Sequence, residues 1–506
     1  MSEEKNSLGI LFKSGVIGFI LSLIGYAIMF FFQMWSARYL GPDQYGLFSL
    51  SKTILGLTAL IAGIGLANGL PRYIPYYRER DEEGLEKGYT NFVIYASIAS
   101  SLLFGTILFF LSGILADVFN VPGSFSFLIK IIAIAVPFKV LARVFGKMFL
   151  ANENVFYQKM SFEIVHSVTM ISGLAIVWFL DLGLLYVVGV LLASEAIELL
   201  FEYVVYKLKF EKTYFVDGDY EYRRWIYFSL PLLFVGSFGF LINWTDNLVI
   251  GFFLEPIQLG IYSVAYSFSN FLTFFRGGLQ SVFLPLITKE HSKEAYSKIR
   301  MLFRKSTGWI FGVTFPVFLI YAFFSKEILV LIYGNEYAAG AVALIILGFG
   351  NLFDAATGFP GSFLSMKEET SNVFYVKFVV SAINVLLNLS LVPYIGIIGA
   401  AITTTVSYLL ENIIFLHLTS DIHEFSFDFL YTFKIILSGL PAMAMAMWII
   451  NMNFFFWAKI VLAGGVYGIV YLIMLYVFRT FDKEDKQILR LILKRYNLYG
   501  YVSHWV

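Results

Sequence analysis

Nine long runs of this sequence contain no Asp, Glu, Lys or Arg, and they limit the possible folds more than any other feature. A helix needs about 20 apolar residues to cross a bilayer, and these runs are close to that length or longer. Because 59% of the 506 residues are hydrophobic and 14% are charged, a soluble core could not bury them. The runs are residues 14–37, 53–71, 88–116, 225–245, 256–275, 306–325, 378–410, 435–458 and 460–478. We therefore predict an all-α polytopic membrane protein.

The lengths of the runs and the charges between them predict about fourteen transmembrane helices. Lys and Arg gather in every second connecting segment, whereas the alternate segments hold little beyond Arg38 and Lys326. Since cytoplasmic loops are rich in Lys and Arg, we expect a multi-pass protein of the cell membrane with both termini in the cytoplasm. The predicted helix centres are near Ile24, Leu57, Leu103, Pro137, Met170, Ala193, Phe238, Phe268, Thr314, Leu347, Leu386, Thr405, Gly439 and Val466.

The stretch Ala37–Leu50, which holds a Gly-Pro-Asp turn, recurs 214 residues later. The matched pairs are Leu40 and Leu254, Pro42 and Pro256, and Gly46 and Gly260. Further matches at nearly the same spacing predict two six-helix repeats of one orientation, an N-lobe at 1–212 and a C-lobe at 213–425. Residues 426–506 would add two helices and a cytoplasmic amphipathic tail. Two stretches, 292–305 and 482–496, are amphipathic and would suit helices that lie in the membrane interface. A charged surface that only keeps these segments soluble is the favoured alternative.

Motifs of soluble enzymes are missing or misplaced. The glycines of residues 63–69 do not have the GxGxxG spacing and lie in a membrane helix, where small residues serve packing. Asp217-Gly-Asp219 resembles the DxD motif of nucleotide-sugar enzymes, but its place in a charged linker favours a solvated turn. The chain has no cysteine, which excludes disulfides and thiol catalysis. We expect no enzymatic activity, no cofactor, no metal and no nucleic-acid partner.

Charged residues inside the predicted helices are the candidates for function, because a buried charge in a membrane is costly unless it is paired or used. Lys139 and Arg143 give the most specific signal: they are four residues apart and project from one helical face beside Pro137. Cations facing a water-filled cleft would suit an anionic head group. An internal salt bridge is the alternative for each of them. The full set of candidate head-group cations is Lys139, Arg143, Arg276, Lys52, Lys377 and Arg38.

Acidic and polar residues in the same helices are candidates for ion coupling or gating, with Na⁺ or H⁺ as the possible ion. Glu163 and Lys377 are 214 residues apart and so occupy equivalent places in the repeats, which suggests an ion pair between the lobes. His166 could relay a proton, although a lone membrane histidine is more often a packing residue. The candidates are Glu163, Asp246, Asn247, Glu195 and His166.

At this point a family resemblance is visible. The stretch Ala37–Leu50 resembles the N-terminal signature of the Wzx-type polysaccharide-biosynthesis flippases, which belong to the multidrug/oligosaccharidyl-lipid/polysaccharide (MOP) exporter superfamily. Residues 332–338 and 392–402 resemble signatures of the C-terminal half of that family. The resemblance covers the first twelve predicted helices, and the last two match members with fourteen.

The resemblance implies two six-helix lobes in a V-shaped, MATE-like arrangement that works by alternating access. The implied substrate is an oligosaccharide on a polyprenyl phosphate or pyrophosphate, moved from the cytoplasmic to the outer leaflet. The implied partners are this lipid-linked sugar, membrane lipids and polysaccharide assembly proteins, with a monomer as the functional unit. The alternative on the same fold is a MATE-like cation-coupled multidrug antiporter, which the cations Lys139 and Arg143 oppose. A membrane glycosyltransferase and a scaffold of envelope assembly are further alternatives.

Overall fold

The protein is helical throughout the part of the chain that the structure describes. This computed structural model describes residues 2–210, 216–291, 293–367, 369–423, 429–452 and 456–480, together with Asp482, Glu484, Asp485 and Ile488. The α-helices are α1 (Ser2–Ala62), α2 (Leu70–Arg78), α3 (Glu83–Val118), α4 (Phe125–Ala151), α5 (Val155–Lys159), α6 (His166–Phe179), α7 (Leu184–Lys209), α8 (Tyr222–Phe253), α9 (Pro256–Ser269), α10 (Phe271–His291), α11 (Tyr296–Tyr333), α12 (Ala341–Ala356), α13 (Pro360–Met366), α14 (Thr370–His423), α15 (Phe429–Ile450) and α16 (Phe456–Val477). Short 3₁₀ turns (Leu66–Gly69 and Asn335–Gly340) and a π-helical turn (Met160–Val165) complete the described backbone.

Ten helical stretches among the described residues are long and apolar enough to cross a membrane. Two of them bend at a glycine: in α1 Gly41 has φ 71° and in α14 Gly396 has φ 62°. Glycine adopts this left-handed region without steric cost, so each bend separates two spans that the sequence predicted as distinct helices. The two predicted centres outside these ten stretches, Phe238 and Val466, lie in α8 and α16. The predicted all-helical, polytopic fold class is therefore confirmed.

The chain forms two compact units, which are described separately. The first comprises Met1–Ala265, Leu329–Gly340 and Lys377–Thr404, and the second comprises Tyr266–Ile328, Ala341–Val376 and Thr405–Val506. In the first unit, Trp225 at the start of α8 packs against Tyr89 of α3 and donates a 2.8 Å hydrogen bond to the Tyr77 hydroxyl. In the second unit, α15 and α16 pack against α11 through an apolar core around Phe315, Ile435 and Tyr467. The division at residues 212 and 425 stays a prediction.

The repeated glycine motif brings two backbones into contact inside the first unit. A Cβ on Gly46 would meet the carbonyl oxygen of Pro256 and lie 3.0 Å from the amide nitrogen of Gly260. A Cβ on Gly260 would likewise meet the carbonyl of Pro42 and lie 3.0 Å from the amide nitrogen of Gly46. Residues that are equivalent by the 214-residue spacing thus contact each other around a local two-fold axis. One turn further on, the hydroxyls of Ser49 and Ser263 are 2.7 Å apart.

Gly46→Val should destabilise the protein by about 1–3 kcal/mol, the usual cost of overpacking, because the added side chain meets backbone atoms that cannot rotate away. The measurement is the thermal midpoint of the purified protein in detergent. Gly189→Val is the matched control, since nothing lies within 4 Å of a Cβ at that helical glycine. Equal midpoints for the two variants would contradict the Gly46–Gly260 contact.

The chain returns to the start of α11 after its last helix. We call Asp482, Glu484, Asp485 and Ile488 the clasp. The buried Lys305 ammonium donates to Asp482 at 2.5 Å and Asp485 at 3.2 Å, and Ile488 is buried among apolar residues of the second unit. Burial works to raise the pKa of Asp482, but hydrogen bonds from Lys305 and from the Asp485 amide outweigh it and lower that pKa. Asp482 is therefore the main counter-charge of Lys305.

The structure describes most of the first amphipathic stretch, 292–305, but little of the second, 482–496. From Tyr296 onward, the first stretch is the beginning of α11 and continues into the apolar span without a break. Ser292 and most of 482–496 lie outside the described residues.

Lys305→Met should lower stability by about 2–3 kcal/mol. This is less than the 3–5 kcal/mol of a fully buried broken pair, because Asp482 is half exposed. The thermal midpoint in detergent is the readout. Lys293→Met is the control, since that exposed lysine pairs only loosely with Glu290 at 3.4 Å. If both variants melt alike, Lys305 and the clasp do not hold this end of the unit together.

Candidate functional site

Lys139 and Arg143 lie on one face of α4, as the four-residue spacing predicted. The Lys139 ammonium is ion-paired with the Glu195 carboxylate of α7, and Glu195 is only 2% exposed. Arg143 has an exposed side chain, although α4 is a membrane-spanning helix. None of the ion pairs between described residues includes Arg143. A cation facing hydrocarbon would be costly, so Arg143 must face water or a polar ligand.

Three carboxylates follow one another along the α7 face that meets α4 and α6. Glu195, Glu198 and Glu202 are all buried, at 2%, 5% and 2% exposure. Glu198 accepts a 2.9 Å hydrogen bond with His166 Nδ1, at the first residue of α6. A Cβ on Gly146 of α4 would lie 3.2 Å from a Glu202 oxygen, which shows how closely α4 and α7 approach.

We call Lys139, His166, Glu195, Glu198 and Glu202 the α7 cluster. The ligand atoms of His166, Glu195 and Glu198 lie within 4.8 Å of one another, a spacing at which one cation can contact all three. One oxygen of Glu202 has no hydrogen-bond partner among the described residues. The cluster thus places three carboxylates against one lysine and one histidine, an arrangement that responds to the gain or loss of one positive charge.

Glu163 lies in the π-helical turn before α6. Its carboxylate is ion-paired with the Lys159 ammonium at 2.9 Å and accepts a 3.0 Å hydrogen bond from the hydroxyl of Ser22 in α1. A Cβ on Gly25 of α1 would meet the carbonyl oxygen of Glu163 and lie 2.8 Å from its carbonyl carbon. The pairing of Glu163 with Lys377 stays a prediction.

Asp246 is buried in α8, at 1% exposure, and accepts hydrogen bonds from three side chains. The donors are the Tyr262 and Thr404 hydroxyls and, at 2.7 Å, the Asn388 amide. We call these four residues the Asp246 cluster. A carboxylate held by three donors in an apolar core is a stable anion site without a cationic partner.

Asn247, the next residue, bonds across to the kinked part of α1. Its amide donates to the Thr53 hydroxyl at 3.0 Å and to the Ser49 hydroxyl at 3.4 Å. Lys52 lies on the same stretch, half-buried, with its ammonium 5.9 Å from the centre of the Trp244 ring. Together with the Ser49–Ser263 pair, these contacts form a row of polar side chains between α1 and the helices α8 and α9.

The remaining cations lie apart from the α7 cluster. In the second unit, Arg276 donates a 2.8 Å bond to Asp354, which also accepts from Asn412 at 2.9 Å. Arg38 is exposed and reaches the backbone oxygen of Leu331 at 3.4 Å. Lys377 is half-buried in the first unit.

The structure therefore brings together Lys139, Glu195 and His166, and it places Lys52 and Arg143 within electrostatic range of Glu195. The other predicted residues lie in separate contacts. Sequence reasoning missed the donors around Asp246. Asn384 and Asn388, which hydrogen-bond to each other, are four residues apart in an uncharged run, and this helical spacing of amides was a usable signal.

Comparisons with known proteins agree with this architecture. A family described as "Polysaccharide biosynthesis protein" matches residues 36–342, more than half of the chain. The probable low-salt glycan biosynthesis flippase Agl15 of Haloferax volcanii is 23% identical over 422 residues, which cover 82% of this chain and 85% of that protein. The capsular polysaccharide biosynthesis protein CapF of Staphylococcus aureus is 24% identical over 198 residues, 39% of this chain and 50% of that protein.

Two solved structures show the same fold. The lipid II flippase MurJ in its inward closed conformation superposes with a TM-score of 0.76 at 16% identity, covering 92% of this chain and 98% of MurJ. An inward-facing MATE multidrug transporter of the MOP superfamily gives a TM-score of 0.59 at 15% identity, covering 81% and 99%. At these identities the structures bear on the fold alone, and the family rests on the sequence match. The chain belongs to the polysaccharide biosynthesis protein family.

Proposed function

We propose that this protein moves an oligosaccharide linked to a polyprenyl phosphate or pyrophosphate from the cytoplasmic to the outer leaflet of the cell membrane. Its family and its similarity to a protein named as a glycan biosynthesis flippase support this proposal. The activity rearranges no covalent bond and needs no cofactor. A single chain would suffice, with both termini in the cytoplasm, and envelope assembly proteins would supply and consume the lipid-linked sugar.

One structural observation supports the proposal at the level of residues: Lys139 and the exposed Arg143 lie on one face of the membrane-spanning helix α4. A sugar–phosphate head group cannot cross about 30 Å of hydrocarbon unaided. Arginine binds phosphate through two parallel hydrogen bonds, which suits the lipid phosphate of the substrate. We assign the first head-group contact to Arg143 and the second to Lys139. Lys52, Lys377, Arg38 and Arg276 are the further candidates.

The α7 cluster suggests how substrate and ion are coupled. When Lys139 turns to the phosphate, Glu195 loses its counter-charge. Glu195 then becomes stable only by taking up a proton or a cation such as Na⁺, and the neighbouring Glu198 and His166 lie close enough to share it. Release of the phosphate returns Lys139 to Glu195 and expels the ion. Asp246, Asn247 and Glu163 are the alternative coupling residues.

The membrane potential would favour outward movement of the negatively charged head group. A negative-inside cell supplies about 2.3 kcal/mol per charge per 100 mV to an anion that moves outward. The proposed transport from the cytoplasmic leaflet therefore gains from each negative charge on the head group that is not balanced by a cation carried with it.

Binding measured in detergent tests the proposed substrate class. Immobilised protein is incubated with radiolabelled polyprenyl-pyrophosphate oligosaccharide and challenged with unlabelled competitors. We expect displacement by the lipid-linked sugar and, more weakly, by sugar-free polyprenyl pyrophosphate, with none by a cationic dye. Displacement by the dye and none by the pyrophosphate would favour the multidrug antiporter.

A further inference from the structure

An apolar cleft of about 590 Å³ lies between α3 and α4, away from the polar clusters described above. Leu102 on α3 and Ile134 on α4 line it and are 54% and 51% exposed, so the cleft opens to the surface of the first unit. In a membrane-spanning helix pair, an apolar opening of this kind faces lipid.

Two residues of the sequence build the floor of this cleft. A Cβ on Gly105 would lie 2.8 Å from the carbonyl oxygen of Ala133 and 3.7 Å from the Pro137 ring, so α3 and α4 touch there through their backbones. Pro137 has no amide hydrogen, and the Ala133 carbonyl therefore lacks its usual helical donor. The close contact at Gly105 sets the depth of the cleft. Larger side chains of α3 and α4 form its walls.

A lysine stands at the end of the cleft nearest the start of α4. The Lys130 ammonium lies 5.6 Å from the centre of the Phe109 ring, and Phe109 is part of the lining. None of the ion pairs between described residues includes Lys130. An odd number of predicted spans separates the N-terminus from this end of α4, so Lys130 lies near the membrane interface opposite the termini. A long cationic side chain at that depth can reach the phosphate level of the leaflet.

Helical spacing separates this place from the proposed transport site. Lys130, Ile134, Pro137 and Leu141 are four, three and four residues apart and share one face of α4. Lys139 and Arg143 lie on the opposite face at about 100° per residue. The charge of Lys130 therefore belongs to the cleft.

We propose that the α3–α4 cleft binds one anionic phospholipid of the outer leaflet, with an acyl chain in the cleft and the head-group phosphate on Lys130. The apolar cleft complements the acyl chain of an anionic lipid, and Lys130, which has no carboxylate partner among the described residues, complements its charged head group. A resident phospholipid, and not the transported lipid, fits an opening that lies on the other side of α4 from Lys139 and Arg143. The site is independent of the proposed transport activity.

Photo-crosslinking tests this assignment. The full-length protein in nanodiscs receives phosphatidylglycerol that carries a diazirine on one acyl chain, and cross-linked peptides are mapped. We expect labelling of 98–109 and 133–141, reduced about tenfold by Lys130→Gln, the loss expected for one charge-assisted hydrogen bond. Ile134→Trp should block the cleft and abolish the labelling, and Lys326→Gln, which alters an exposed lysine of the second unit, should leave it unchanged.

Competition distinguishes the possible occupants. Unlabelled phosphatidylglycerol should displace the probe at least tenfold more effectively than phosphatidylcholine. Equal labelling of the wild type, Lys130→Gln and Ile134→Trp would overturn the site. Equal competition by phosphatidylcholine would overturn the role of Lys130, and stronger competition by a polyprenyl phosphate than by phosphatidylglycerol would overturn the phospholipid as the occupant.

Discussion

The double variant Lys139→Ala/Arg143→Ala is expected to insert into the membrane and to lose at least about 99% of lipid-linked oligosaccharide transport. Each cation would contribute a charge-assisted hydrogen bond to the phosphate, worth about 1.5–3 kcal/mol, so two of them account for a hundredfold loss or more. The readout is the initial rate of flipping in proteoliposomes, normalised to the amount of folded protein. Lys326→Ala is the control and should flip at the rate of the wild type.

Stability has to be separated from transport in this experiment, because Lys139 neutralises the buried Glu195. Lys139→Ala alone leaves that carboxylate unpaired and should destabilise the protein. Adding Glu195→Gln should restore the thermal midpoint without restoring transport. Normal flipping by Lys139→Ala/Arg143→Ala would remove both cations from the mechanism.

The second large effect is expected from a cross-link at the local two-fold axis. The hydroxyls of Ser49 and Ser263 are 2.7 Å apart, so Ser49→Cys/Ser263→Cys should form a disulfide with little movement. The natural chain has no cysteine, which leaves the introduced pair as the only one. If the proposed alternating access separates these two segments, oxidation should stop flipping and a reducing agent should restore it.

Each single variant, Ser49→Cys or Ser263→Cys, serves as a control and should be active under both conditions. Full transport by the quantitatively cross-linked protein would show that the contact around Gly46 and Gly260 does not open during the cycle. Alternating access by separation of these segments would then be wrong.

The sequence was sufficient for the helices and for the bends between them. Charge-free runs of membrane length predicted the spans, because lipid forces the backbone to satisfy its hydrogen bonds within each helix. Gly41 was predicted as part of a turn from the neighbouring Pro42, and it has positive φ. The 214-residue spacing also identified the residues that meet as equivalents, Gly46 and Gly260.

The partners of the buried charges could not be predicted in the same way, since they depend on which helical faces meet. Four-residue spacing placed Lys139 and Arg143 on one face but did not show that Glu195 neutralises Lys139. The sequence therefore left both a functional role and an internal salt bridge open for Lys139. Arg276 had the same two interpretations, and its carboxylate partner is Asp354.

Divergence between the repeats hid the Asp246 cluster. Each member of this cluster has an apolar residue at the equivalent sequence position 214 residues earlier. These equivalents are Phe32 for Asp246, Phe48 for Tyr262, Leu174 for Asn388 and Val190 for Thr404. The repeat therefore gave no indication of the Tyr262, Asn388 and Thr404 donors that enclose Asp246.

Transbilayer movement of the lipid-linked sugar tests the central claim most directly. Purified wild-type protein is reconstituted with a fluorescent polyprenyl-pyrophosphate oligosaccharide, and efflux of a cationic drug is measured on the same vesicles. We predict protein-dependent flipping of the lipid-linked sugar, absent from protein-free vesicles, without drug efflux. Drug efflux without lipid movement would contradict the flippase account and would turn attention from Lys139 and Arg143 to Asp246 and Glu163.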